Sequence, residues 1–339
     1  MSQALMQAMV LERIGPVESG PLQLRQTPVP EPGPGEVRVR VRCCALCRTD
    51  LHIIEGDLPA PTLPRIVGHQ AVGVVDALGP DCTQLKLGQR VGIAWLRHTD
   101  GTCLYCQRGQ ENLCVGSRYT GYHADGGYAS YAVVPEAFAY EIPPLFDDVQ
   151  ASPLLCAGLI GYRSLNRAQV PAGGRLLLVG FGSSAHVVLP IALRRGYTVD
   201  VLTRSPNHQQ LALQMGAAWA GDDPAGLPEP ADSAILFAPS GALVPVVLQN
   251  LRHGGKLAIA GIHLSPIPAL DYDRHLYYER EVRSVTANTR QDGRDLFREA
   301  AEARLTLHTV TYPLAQANEA LLDMKRSRID GTGVLLMPD

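Results

Sequence analysis

Arg175-Leu176-Leu177-Leu178-Val179-Gly180-Phe181-Gly182-Ser183-Ser184-Ala185 is the stretch on which the fold turns. Arg175 to Val179 is a short apolar run closed by glycine, which reads as a buried strand, and Ala185 to Arg195 has the pattern of a helix. Gly180 allows the tight turn between them, and Gly182 lets the backbone approach a pyrophosphate. Ala185 supplies the small residue that close packing of helix on sheet requires. The helix amino terminus then offers unpaired N–H groups to phosphates. The strand-turn-helix setting is what separates a dinucleotide site from an ordinary glycine turn. Pro190 within the helix predicts a kink or a loosened turn.

Working outward, Val199 to Leu202, Ala234 to Ala238 and Lys256 to Ala260 read as further apolar strands. Helical stretches at Gln209 to Met215, Ala242 to Leu251 and Arg294 to Ala303 alternate with them, which is the pattern of βαβ units around a parallel sheet. Before about Ser152 the texture differs. Short β-rich runs such as Glu36 to Arg42 and Val72 to Ala77 lie between Pro- and Gly-rich segments, as in an irregular, mostly β domain. With 339 residues, two domains are expected. The segment Leu314 to Pro338 is expected to rejoin the first.

The residue closing the second strand of such a sheet selects the cofactor, because a carboxylate there accepts the adenosine ribose hydroxyls of NAD. The chain has Val201-Leu202-Thr203-Arg204-Ser205 instead. Arg204 between two hydroxyls suits a 2′-phosphate, so NADP(H) is favoured over NAD(H). Asp200 lies one pleat too early and is expected to point elsewhere.

Thirty basic residues against 33 acidic give a net charge of −3, which offers no footprint for a nucleic-acid backbone. No run reaches the ~18 apolar residues that a bilayer span needs, and Met1 to Val10 lacks the features of a secretion signal. A cytoplasmic protein is expected, in which eight clustered cysteines point to metal or catalysis. Asp100, Cys103, Cys106 and Cys114 have the close spacing that lets one loop wrap a tetrahedral ion. Cys47, His69 and Cys156 are too dispersed for spacing to nominate them, and singly each reads as a buried thiol or a core histidine. Cys43, Cys44 and Cys82 are taken as core thiols.

The run Cys47-Arg48-Thr49-Asp50-Leu51-His52, with Glu55-Gly56-Asp57-Leu58-Pro59, Gly68-His69, Trp95-Leu96, Glu111-Asn112-Leu113-Cys114, Gly126-Gly127-Tyr128 and Leu155-Cys156-Ala157-Gly158, resembles the zinc-dependent medium-chain alcohol dehydrogenases. The resemblance spans nearly the whole chain. It implies an α/β fold in which a Rossmann doubly wound parallel sheet, residues 153–288, is inserted in a mostly-β GroES-like catalytic domain formed by 1–152 and 289–339. It also implies homodimers or homotetramers acting on a small alcohol or aldehyde, with two zinc ions per chain, catalytic and structural. By position, Cys47, His69 and Cys156 match the catalytic-zinc ligands, and Asp100, Cys103, Cys106 and Cys114 the structural set. Thr49 and His52 match the relay that carries the proton from the zinc-stabilised alkoxide through the cofactor ribose to solvent. Asp50 matches the carboxylate that orients the ligand histidine, Leu58 and Trp95 match pocket residues, and Arg290 a residue near the cofactor pyrophosphate.

Three positions depart from the family. Gln70 replaces the usual glutamate beside the ligand histidine, which implies a more electrophilic zinc and a lower ionisation pH for bound alcohol. Asp100 replaces a cysteine, and Thr203 stands where the NAD-selecting carboxylate would be. Two rivals remain: a zinc-free enone or quinone reductase of the same fold, and a nucleotide-binding protein without catalysis. Both are disfavoured by the presence of the ligand triad and the relay positions.

Overall fold

The computed structural model describes residues 4–59 and 61–338; of the amino terminus read above, residues 1–3 lie outside the described residues. The chain forms two compact units. One comprises Met1–Cys156, Ala287–Ala301 and Thr306–Asp339; the other Ala157–Thr286 and Glu302–Leu305. The first division therefore falls after Cys156 rather than after residue 152, so Cys47, His69 and Cys156 all belong to the first unit.

In the second unit the strand Arg175–Val179 has Leu176, Leu177 and Leu178 fully buried, the continuous apolar run of a strand covered on both faces. It starts a six-stranded parallel sheet. Its spatial order is Trp219–Gly221, Thr198–Leu202, Arg175–Val179, Ala231–Leu236, Leu251–Ile259 and Glu281–Ser284. Numbered along the chain, that order is 3-2-1-4-5-6, with a topological switch point beside the first strand, where α/β sheets bind their ligands. The helix Ser183–Arg194 runs through Pro190, which donates nothing to the carbonyl one turn earlier. Helix Pro206–Gln214 begins ahead of Gln209 because Ser205 caps it, Oγ accepting from His208 N at 3.4 Å, with proline in the first turn. Helix Leu243–Gln249 stops short because Leu251 already opens a strand.

In the first unit the central strand Glu36–Ala45 pairs with Ala71–Leu78, Tyr131–Pro135 and Thr332–Leu336, all antiparallel. The last of these brings the carboxyl-terminal segment back to this unit, with Val334 opposite Ala45. Alternation in Glu36–Ala45 buries Val37, Val39 and Val41 while Arg40 and Arg42 face outward. Helix Arg290–Glu302 starts a turn before Arg294, because Thr289 and Asp292 cap it reciprocally: Thr289 N donates to Asp292 Oδ2 at 2.8 Å and Asp292 N to Thr289 Oγ1 at 3.1 Å. No helix among the described residues is long and apolar enough to cross a membrane.

Candidate active site

The strand Glu36–Ala45 ends two residues before Cys47, which caps the helix Arg48–Glu55. The Cys47 sulfur accepts from Thr49 N at 3.5 Å, and its S–H donates to the Thr49 hydroxyl oxygen at 3.5 Å. Cys47 N donates back to Asp50 Oδ2 at 2.9 Å. A capping box built on a sulfur thus fixes Cys47, Thr49 and Asp50 in one turn.

His69 arrives on a different segment. Gly68 before it is left-handed, with φ of 93°, and a side chain there would enter the Tyr128 ring, so only glycine fits. Asp50 is fully buried and accepts from His69 Nδ1 at 3.0 Å through Oδ1 and from the Tyr128 hydroxyl at 3.0 Å through Oδ2. A carboxylate partner leaves Nε2 as the outward-facing ring nitrogen, and Nε2 is buried with no hydrogen-bond partner among the described residues. Cys156 follows the 3-10 turn Ser152–Leu155, and its sulfur lies 3.6 Å from that of Cys47. One ligand atom from each of Cys47, His69 and Cys156 lies within 4.8 Å of the others. The contact with Cys156 holds Cys47 well below its ordinary value, and the contact with Cys47, together with burial, pushes Cys156 well above. Burial would lower His69, but the Asp50 carboxylate raises it to about 10. An orphaned imidazole nitrogen close to two thiols in mutual contact is a donor set suited to zinc in place of the thiol protons.

Trp95 stacks on Tyr119, with centroids 4.8 Å apart, and meets the His69 ring edge-on at 5.0 Å. Tyr122 lies 6.0 Å from Trp95. Trp95 therefore stands beside the cluster as an aromatic wall, while Leu58 is partly buried against the core of this unit. Tyr119 and Tyr122 extend that wall, and periodicity could not have nominated either.

Asp100, Cys103, Cys106 and Cys114 also bring one ligand atom each within 4.8 Å. Asp100 Oδ1 accepts from Thr102 N and Cys103 N, both at 2.7 Å, and these bonds hold its carboxyl far below the usual carboxylate range. Oδ2 points to the Cys114 sulfur at 3.3 Å. One oxygen organises the loop and the other faces the thiols, which fits a three-sulfur, one-oxygen tetrahedral site. Arg290, placed by resemblance near the pyrophosphate, is clamped on Glu111, Nη2 reaching Oε2 at 2.6 Å and Nε reaching the same oxygen at 3.0 Å. The Phe138 ring lies 4.6 Å beneath its guanidinium. Glu111 opens the 3-10 turn Glu111–Leu113, which Cys114 follows, so this pair ties the cysteine loop to the helix Arg290–Glu302.

Gln70 is buried, its carboxamide nitrogen donating to the carbonyls of Leu46 at 3.1 Å and Ala45 at 3.3 Å. Glutamate could not make those bonds. Gln70→Glu is therefore expected to lower stability by about 2 kcal/mol or more, measured by urea denaturation. A pH profile of that variant would report the lost bonds together with the added charge.

In the second unit, Gly180 has φ of 90° and a Cβ there would come within 3.0 Å of Ala238 N, at the switch point. At Gly182 a Cβ would meet nothing within 4 Å, leaving open space above the turn. Ala185 is fully buried. Thr203 N donates to Gly221 O at 2.7 Å, and Arg204 is exposed at the strand end. Asp200 is buried and bonded to Arg175 Nη1 at 2.7 Å, away from that end.

A switch-point dinucleotide turn on a 3-2-1-4-5-6 sheet, in a chain whose β unit gathers two cysteines and a histidine, defines a nicotinamide oxidoreductase of the medium-chain type. Residues 33–144 match the alcohol dehydrogenase GroES-like domain. The "Probable alcohol dehydrogenase AdhA" of Mycobacterium tuberculosis (strain CDC 1551 / Oshkosh) is 51% identical over 339 residues, covering 98% of each chain. An alcohol dehydrogenase of Geobacillus stearothermophilus is 32% identical over 328 residues, 93% of this chain and 96% of the relative. A cobalt- and zinc-bound thermostable alcohol dehydrogenase from Pyrobaculum aerophilum superposes with a TM-score of 0.88 at 26% identity, over 98% of this chain and 100% of that one. The chain belongs to the zinc-dependent medium-chain alcohol dehydrogenase family and is an alcohol oxidoreductase.

Proposed function

We propose that the chain is a zinc-dependent, NADP(H)-preferring alcohol dehydrogenase and aldehyde reductase. The observation that carries this reading is the buried, unpartnered His69 Nε2 in the Cys47 and Cys156 cluster, its Nδ1 held by Asp50. Cys47, His69 and Cys156 would hold the catalytic ion, and Asp100, Cys103, Cys106 and Cys114 the structural one. Zinc when bound supplies a Lewis acid beside the substrate oxygen, and the nicotinamide supplies or takes the hydride.

The chain's own residues do the rest. Asp50 fixes the His69 ring and its tautomer. Thr49, buried with its hydroxyl 3.5 Å from the Cys47 sulfur, takes the proton from the substrate alcohol, and His52 carries it toward solvent. Trp95, with Leu58, limits the space for the substrate carbon chain. Gly180, Gly182 and Ala185 seat the pyrophosphate on the helix amino terminus. Thr203, Arg204 and Ser205 receive the adenosine ribose, Arg204 its 2′-phosphate. Arg290, clamped on Glu111, is assigned to the cofactor side as well. A homodimer or homotetramer in the cytoplasm completes the reading.

The test is the initial rate of aldehyde reduction over a chain-length series, with NADPH and NADH in parallel, on metal-replete protein. NADPH is expected to be the better cofactor, and Arg204→Ala to remove most of that preference, a loss of about tenfold or more for one charge-assisted contact. A preference for NADH in the parent chain would refute the role given to Arg204. Metal analysis is expected to return two ions per chain, falling to one in Cys106→Ala.

A further inference from the structure

We infer that Asp57 is a positioning residue for the proton relay: it fixes the His52 imidazole in the tautomer that receives the proton on Nε2. The inference rests on the relay reading of His52 above.

Asp57 holds His52 in two ways. Its carboxylate Oδ2 lies 2.8 Å from His52 Nδ1, and its backbone N–H donates to the His52 carbonyl at 2.9 Å. The second contact exists because Gly56 ends the helix in the left-handed conformation, with φ of 84°. That turn brings the chain back over the last helical turn and delivers the Asp57 side chain to the ring of His52. Leu58 N adds a longer bond to the same carbonyl, at 3.3 Å.

The chemistry follows from what a carboxylate can do. Ionised, it only accepts, so Nδ1 carries the hydrogen and Nε2 the lone pair. In alcohol oxidation the carbon gives a hydride to the nicotinamide and the hydroxyl gives up a proton. That proton arrives at Nε2. The imidazolium keeps its Nδ1–H on Asp57, which stabilises the charged ring, and then releases the Nε2 proton to water. Removing Asp57 takes away the acceptor that holds the hydrogen on Nδ1, and the other tautomer, whose Nε2 already bears hydrogen, cannot accept. The Asp57 side chain is 59% exposed, and an exposed pair contributes little to stability, so its value to the chain lies in orienting the ring.

The test is a double-mutant cycle on the metal-replete enzyme, with alcohol oxidation as the readout. Asp57→Ala is expected to lower kcat about tenfold with the KM for alcohol nearly unchanged, and Asp57→Asn, which keeps an acceptor, to recover most of it. In a His52→Gln background, Asp57→Ala is expected to change nothing further. A loss that persists in that background would mark Asp57 as structural and overturn the inference. Full activity of Asp57→Ala beside a slow His52→Gln would overturn it and leave the relay standing. Full activity of His52→Gln would overturn the relay itself.

Discussion

Cys156→Ala is expected to yield a folded chain that carries one metal ion instead of two and oxidises alcohol about a thousandfold more slowly, a loss of about 4 kcal/mol in transition-state stabilisation. The fold survives because Cys156 sits at the end of a 3-10 turn, where its side chain bonds to the Cys47 sulfur. Asp100, Cys103, Cys106 and Cys114 lie on another loop, so an ion held there is expected to stay. Circular dichroism, metal analysis and turnover together check the result. A variant that retained turnover with a single metal would refute the assignment of Cys47, His69 and Cys156 to the catalytic ion.

Asp50→Ala is expected to cost about 3–5 kcal/mol of stability, the range for breaking a buried charged network by removing one partner. Three donors lose their acceptor at once: Cys47 N, His69 Nδ1 and the Tyr128 hydroxyl. All but the first belong to side chains that are almost wholly buried, so water cannot replace the carboxylate cheaply. Asp50→Asn isolates the tautomer effect. An amide that turns its nitrogen toward Nδ1 forces the hydrogen onto Nε2, and metal affinity should fall about 10–100-fold, read by competition with a chelator. Tyr128→Phe removes one donor and leaves the carboxylate, and about 1 kcal/mol is expected for that change. If Asp50→Asn bound metal as tightly as the parent, Asp50 would not be the group that orients His69.

The sequence makes some of this site legible and hides the rest for physical reasons. The dinucleotide turn is local, so glycine spacing and an apolar strand are enough to find it. Asp100 to Cys114 is also local, since one loop closes on itself. Cys47, His69 and Cys156 come from three separate segments, and without the family resemblance nothing in their spacing joins them. Tyr128 reaches Asp50 across 78 positions, and Glu111 reaches Arg290 across 179. No periodicity encodes such contacts, because they depend on how strands and loops pack. Gln70 shows the same limit. Its identity reads as a missing charge near the metal, but the structure adds two backbone carbonyls that require a donor there.

The pairing of Thr332–Leu336 with Glu36–Ala45 bears on how the molecule is made. Leu46 N donates to Gly333 O at 2.8 Å, one residue before Cys47, so the ledge under Cys47 is completed by the strand Thr332–Leu336. Closing so long a loop is entropically costly and slow, whereas the parallel sheet of the second unit pairs strands much closer in sequence. The nucleotide unit is thus free to fold during synthesis, and the catalytic half must wait. A ribosome-stalled chain lacking residues 332–336 would present a finished cofactor platform and an open metal pocket. Filling of the metal site proposed at Cys47 would then be a late, post-translational step.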